Sequence, residues 1–266
     1  MKKHRTLFLN IIFICITIAN CSKTESDLTI RKGILTVGMD ISFPPMEYYG
    51  HDGKTPEGFN VEVAGKIAEK LNLELEIIGT SWEGIFSGVE TNRYDCIISS
   101  VTILPERLSR YNFSKPYIGN SLVIVTLDSS QVKPLNPSEL AGLGVAYQTE
   151  TTSKYLMTQL LEEGIKFIPF EYDLGVSCFD ELLLGRVDAV VSDMIIAQNY
   201  ISKPGSHFEI TWHGEPDQFY GICLKKGNDD LTEAIEIALD ELFAEGTMRM
   251  LSIKYLGYDM VSAVRH

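Results

Sequence analysis

The chain has 266 residues, 45% of them hydrophobic and 22% charged, and a formal net charge of −13. That length suffices for one large α/β domain or for two medium lobes with cores of their own. The acidic balance excludes a nucleic-acid partner, which needs a basic stripe, and gives the folded body no attraction to an anionic bilayer.

The first segment is not part of the fold. Lys2, Lys3, His4 and Arg5 form a basic opening, and residues 7–19 are apolar apart from Asn10 and Thr17, a run short for a membrane-spanning helix. It ends Ile18-Ala19-Asn20-Cys21 and is followed by a polar stretch over 22–27. This resembles a bacterial lipoprotein signal, cleaved just before a cysteine whose sulfur then carries lipid. Residues 1–20 are therefore expected to be a signal peptide, Cys21 the lipidated residue and 21–30 a polar tether. Asn20 stands where that pattern prefers a smaller residue, and ordinary secretion with soluble release is the alternative.

Beyond the tether the periodicity switches repeatedly between 2 and 3.6. Residues 34–38 (ILTVG) predict a short buried strand with Asp40 at its end. Phe59, Val63, Ile67 and Leu71 recur every four residues and predict an amphipathic helix. Strict alternation over 73–77 predicts a strand with one wet face, 82–89 a short helix, and 96–99 an apolar strand. The same order returns: strand 143–146, helix 152–162, strand 167–168, helix 179–184, strand 188–192, helix 195–201. Residues 219–224 predict a last strand, Leu231 to Leu242 an amphipathic helix, and 248–256 another. Strands alternating with helices imply parallel sheets with right-handed crossovers.

One internal echo stands out. Arg93-Tyr94-Asp95-Cys96-Ile97-Ile98-Ser99-Ser100 matches Arg186-Val187-Asp188-Ala189-Val190-Val191-Ser192-Asp193 in kind. Both run Arg-x-Asp, three apolar residues, Ser and a polar residue, and each follows a helix. Each strand would end by presenting polar groups at its carboxyl edge, where open α/β sheets bind ligands. Two such edges face to face would line a cleft from both sides. Of the five cysteines, Cys96, Cys178 and Cys223 fall outside the leader and have no metal-ligand spacing, so they read as small buried apolar residues. No phosphate loop, HExxH or ordered catalytic triad occurs, and no cofactor is expected.

Several stretches together resemble the bacterial extracellular solute-binding proteins that serve ABC importers of polar amino acids. They are VGMDISFPPMEY (37–48), GFNVEVAGKIAEKL (58–71), SWEGIFSGVETNRYDCIISSVTILPERL (81–108), FSKPY (113–117), LLLGRVDAVVSD (182–193), YGICLKKG (220–227) and AEGTMRMLSIKYLG (244–257). The resemblance implies an α/β fold of two lobes (type II), each a mostly parallel sheet flanked by helices, with the ligand cleft between them. Lobe one would comprise 31–118 and 219–266, lobe two 119–218, with crossings near Gly119-Asn120-Ser121 and between Gly214 and Gln218.

The resemblance also implies roles at the site. Arg107 would grip the ligand carboxylate with a planar fork that lysine cannot supply. Ser99, Ser100 and Thr102 would add hydroxyl and backbone hydrogen bonds. Asp193 would pair with the ligand ammonium. Thr151 and Thr152 match a Gly-Thr-Thr turn before a helix and would receive the carboxylate from the second lobe, although Glu150 stands where glycine is usual. Asp40, Phe43 and Trp82 would surround the ligand side chain. A carboxylate at Asp40 favours an amide or a cation, hence glutamine or a basic amino acid. The implied protein is a monomer on the outer side of a bacterial membrane, partnered by a free amino acid and an ABC permease, and not an enzyme. Two alternatives stay open: a dehydratase acting on cyclohexadienyl carboxylates, and a sensory or adhesive surface lipoprotein.

Overall fold

The computed structural model describes residues 28–262 and 264. The expected signal peptide and Cys21 lie outside the described residues. In chain order the elements are β1 (Ile34–Met39), β2 (Ser42–Phe43), β3 (Glu47–Tyr49), β4 (Pro56–Glu57), α1 (Phe59–Lys70), β5 (Glu74–Gly79), α2 (Trp82–Glu90), β6 (Cys96–Ile97), α3 (Pro105–Arg110), β7 (Tyr111–Phe113), β8 (Ile118–Asn120) and β9 (Leu122–Leu127). After a 3-10 turn come β10 (Gly144–Gln148), α4 (Thr152–Glu162), β11 (Ile168–Tyr172), α5 (Gly175–Leu183), β12 (Ala189–Asp193), α6 (Met194–Ile201), β13 (Phe208–His213), β14 (Gln218–Tyr220), β15 (Cys223–Lys225), α7 (Asp229–Ala244) and α8 (Thr247–Leu256).

Among the described residues two five-stranded sheets dominate, with strand orders β5-β1-β6-β15-β7 and β11-β10-β12-β9-β13. In each, the first three strands are parallel and the fourth runs against the third. Both faces of each sheet are covered, as a largely parallel sheet requires. In lobe one Leu35, Val37 and Met39 meet Phe59, Val63 and Ile67 of α1 and Ile235 and Leu239 of α7 on one side. Ile85, Val89, Tyr94 and Ile97 close the other side. In lobe two Val145, Tyr147 and Val191 pack on Met157 and Leu160 of α4, while Ala146 and Val190 pack on Phe179 and Leu182 of α5.

The internal echo is a shared structural device. The Asp95 backbone N–H donates to the Thr36 carbonyl at 2.9 Å, and its carboxylate accepts the Thr36 N–H at 2.7 Å. The Asp188 N–H donates to the Gly144 carbonyl at 2.8 Å, and its carboxylate accepts the Gly144 N–H at 2.8 Å. In both lobes the next residues pair in the ladder, Val37 with Cys96 and Val145 with Ala189. The aspartate of Arg-x-Asp thus fixes the register of the third strand against the first, and so fixes where that strand's polar tip emerges.

One expected strand is two. Residues 219–224 divide at Gly221 into β14, which pairs with β8, and β15, which pairs with β6 and β7. The Gly221 N–H is held by the Val101 carbonyl at 3.0 Å, and a Cβ there would lie 2.8 Å from Ile103. The chain leaves one sheet and enters another at a residue small enough for that approach. The ribbon β8–β14 carries both passages of the chain between the lobes. The three cysteines Cys96, Cys178 and Cys223 are buried free thiols, and no helix of the described residues is long and apolar enough to cross a membrane.

Candidate functional site

The carboxyl ends of β1 and β6 in lobe one face those of β10 and β12 in lobe two. The cavity between them is lined by Asp40, Phe43, Glu47, Trp82, Ser99, Ser100, Thr102, Arg107, Gln148, Thr151, Thr152 and Asp193. All ten residues singled out from the sequence stand on this one cavity, seven from the first lobe and three from the second. Glu47 and Gln148 are additions.

Arg107 is placed by a short helix that Pro105 starts at its first turn. The side chain turns inward and is buried. Its Nη1 donates to the Thr102 carbonyl at 3.0 Å and its Nη2 to the Glu150 carbonyl of the other lobe at 3.3 Å. The rings of Trp82 and Phe86 flank the guanidinium, with centroids 5.6 and 5.0 Å from Cζ. Burial draws its pKa downward, yet arginine starts too high for this to discharge it. The result is a fixed cation with further N–H groups toward the cavity.

Asp193 ends β12 and begins α6. Its Oδ1 accepts a hydrogen bond from the Asn120 amide. Burial pushes its pKa up to about 6, against the lowering influence of Tyr220, Asn120 and Arg107. No ion pair joins Asp193 to Arg107 or to any other cation among the described residues. One buried cation and one buried anion therefore face the same space with their charges unspent on each other, which suits a zwitterion.

At the other end sit two more carboxylates. The Asp40 carboxylate accepts from the Ser42 hydroxyl at 2.7 Å, and burial raises its pKa. Glu47 on β3 is buried and accepts from the Ser99 hydroxyl at 2.7 Å and the Asn60 amide at 2.6 Å. Burial raises its pKa well above the usual range, and the neighbouring Asp40 adds to the rise. Ser99 also accepts the Asp40 N–H at 3.0 Å, so its own proton is committed to Glu47. Ser100 accepts from Asn60 at 3.0 Å. Glu47 escaped the sequence reading because a lone Glu between apolar residues gives no periodic signal. Gln148 had one: it ends β10, the counterpart of β1, whose end carries Asp40.

The turn before α4 explains Glu150. Its φ is +56°, the left-handed region where glycine is at ease and a side chain costs roughly 1–2 kcal/mol. That conformation aims the Glu150 carbonyl across the cleft, where it accepts from the Trp82 indole at 3.1 Å as well as from Arg107. Thr151 hydrogen-bonds back to the Gln148 carbonyl at 2.8 Å, and Thr152 to Gln218 at 3.2 Å. Replacing Glu150 by glycine keeps the turn and relieves the strain, and is expected to stabilise the fold by up to about 1 kcal/mol in urea unfolding. A loss of stability would show that the Glu150 side chain supports the turn.

Phe43 of lobe one reaches into the second lobe's core beside Phe179 and Val190. The lobes are thus closed on each other in this structure.

The chain resembles proteins of known role. It is 31% identical over 241 residues to the L-cystine-binding protein TcyJ of Escherichia coli (strain K12), covering 86% of this chain and 85% of that protein. Among solved structures, an ancestral arginine-binding protein bound to arginine superposes with a TM-score of 0.78 at 31% identity, over 85% of this chain and 99% of the other. The ancestral amino acid-binding protein AncCDT-1, described as a precursor of cyclohexadienyl dehydratase, gives a TM-score of 0.75 at 26% identity, over 84% and 95%. The family model that matches covers residues 35–258, so this chain belongs to the bacterial extracellular solute-binding proteins, family 3.

Proposed function

We propose that this protein is the extracytoplasmic receptor of an ABC importer and binds a free amino acid between its lobes. One observation carries the reading: Arg107 and Asp193, buried and uncommitted to each other, face one cavity from opposite lobes. The ligand carboxylate would lie on the Arg107 fork, with the backbone N–H groups of Thr151 and Thr152 at the start of α4; the hydroxyl protons of these two residues are held by Gln148 and Gln218. Its ammonium would meet Asp193, and Ser99, Ser100 and Thr102 would supply further hydrogen bonds. Contacts from both lobes favour the closed state, the form a permease would recognise.

The side-chain end of the cavity holds Asp40 and Glu47 without an ion-paired protein cation among the described residues. Buried carboxylates are costly unless a counter-charge arrives. This favours a ligand with a second positive charge over glutamine: a basic side chain, or the second ammonium of a cystine whose second carboxylate stays away from Asp40 and Glu47. The named relatives, which bind cystine and arginine, support both. Binding rather than turnover is proposed, since an amine-bearing ligand satisfies Asp193 and a carbocyclic acid does not.

Thermal-shift titration with L-arginine, L-lysine, L-cystine, L-glutamine and L-glutamate tests this. At a hundredfold excess over Kd the favoured ligand adds about 2.7 kcal/mol of stability. Arginine, lysine or cystine should raise the melting temperature and glutamate should not. A shift by glutamate alone, or by none of the five, sinks the reading. A lipid-anchored monomer released by cleavage before Cys21 is part of the same proposal, and intact-mass measurement of the mature N-terminus checks it.

A further inference from the structure

Two cavity residues of lobe two are tied to the strands that connect the lobes. The Asn120 amide on β8 donates to Asp193, and it also lies 3.4 Å from the Gln218 side-chain oxygen on β14. The Thr152 hydroxyl donates to that same oxygen at 3.2 Å. Asn120 and Gln218 are direct partners across the β8–β14 ribbon. A continuous run of four side chains therefore joins Thr152, Gln218, Asn120 and Asp193, and its two middle members sit on the connecting strands.

Polar capacity is left over at this spot. The Asn120 Oδ1 and the Tyr220 hydroxyl are buried without a well-formed hydrogen bond. Native proteins leave few such groups, because each costs free energy. Asn120 turns its amide, not its carbonyl, toward Asp193. The charged and titratable groups facing Asp193 are Arg107 from α3 and Tyr220 from β14. Asn120 and Tyr220 both stand on the ribbon, so the approach of both to Asp193 depends on how it sits relative to β12; of the two, Asn120 is the one that makes a hydrogen bond to the carboxylate.

We propose that Asn120 and Gln218 are positioning residues that couple ligand recognition at Asp193 and Thr152 to the connecting strands, a role that rests on the amino-acid-binding reading. Rotation of the lobes about the ribbon would change the Asn120–Asp193 contact. Asp193 keeps its negative charge best when Asn120 donates to it. Closure and readiness for an ammonium are then one event.

The first test needs no ligand. The melting temperature of the wild-type chain minus that of Asp193→Asn, followed against pH, reports the ionisation of Asp193. The same difference is measured in an Asn120→Ala background. Its midpoint should move up by about one pH unit, and Asn120→Ser, which retains a donor, should bring it part of the way back. An unmoved midpoint in both backgrounds overturns the proposal; if Asn120→Ala fails to fold, the Ser variant against wild type decides alone.

The second test uses L-arginine and L-cystine as probes in calorimetric titrations. Asn120→Ala should weaken binding about threefold more at pH 6.5 than at pH 8.5, where Asp193 is ionised again. A merely structural defect would weaken it equally at both. Gln218→Leu and Thr152→Val should be non-additive, and full additivity removes Gln218 from the run. If the wild-type chain binds neither probe, the functional reading fails while the ionisation readout still stands or falls by itself.

Discussion

Replacing Asp193 by asparagine should abolish amino-acid binding and at the same time stabilise the empty protein at neutral pH. The two effects share one cause. Burial lifts the Asp193 pKa from its ordinary 3.8 to about 6. An acid whose folded pKa is raised binds more protons folded than unfolded, so its contribution to stability falls as pH rises between those two values. Below about pH 4 the carboxyl is neutral in both states and costs nothing. Above about pH 6 the full charge is held in a dry site, which costs about 3 kcal/mol at most at about 1.36 kcal/mol per unit. Water repays part of that wherever the lobes part, so the figure is a ceiling.

Asparagine has the shape of the protonated acid and can still accept from the Asn120 amide. The variant should therefore melt higher than the wild-type chain at about pH 7.5, and the gap should close as pH falls toward about 4. Ligand binding should respond in the opposite sense. An ammonium gains nothing from a neutral partner, so affinity of the wild-type chain should also fall as pH drops through about 6. A variant that melts lower near neutral pH, or that binds an amino acid and its deaminated analogue with equal losses, would show that Asp193 is a structural acid and not the ammonium's partner.

Much of this arrangement was legible in the sequence. The eight-residue echo identified β6 and β12 as counterparts, and with them the polar tips Ser99-Ser100 and Ser192-Asp193. The helices α1, α4 and α7 followed from their apolar spacing. What escaped was set by tertiary partners. The antiparallel strands β9 and β13 pair with each other and, through β9, with β12; neither pairing leaves a local signal in the sequence. The division of 219–224 into β14 and β15 depends on Val101 and Ile103, far away in sequence. Glu47 is drawn to the cavity by Ser99 and Asn60, from separate elements. Glu150, conspicuous for standing where glycine is usual, did carry a usable signal. A non-glycine residue in that turn keeps the left-handed backbone, and it is the carbonyl, not the side chain, that reaches the cleft.

Arg107→Ala should cost ligand binding about 2–5 kcal/mol, a loss of roughly thirtyfold to several thousandfold, as when one partner of a buried charge pair is truncated. The size follows from what surrounds the guanidinium. It is buried, with two N–H groups bound to carbonyls of different lobes and two aromatic rings at its flanks. Among the described residues nothing else on the cavity wall is a cation. Without it the ligand carboxylate would be left to the neutral N–H groups at the start of α4, while Asp40, Glu47 and Asp193 remain. Arg107→Lys separates charge from shape. A lysine keeps the cation but cannot hold Thr102, Glu150 and a carboxylate together in one plane, so it should recover only part of the loss. If calorimetry gave near-normal affinity for the alanine variant, the carboxylate would have to bind elsewhere, and the N–H groups at the start of α4 would be the place to look. If lysine restored wild-type affinity in full, the fork geometry would be irrelevant and only the field of a buried positive charge would remain as the basis of recognition.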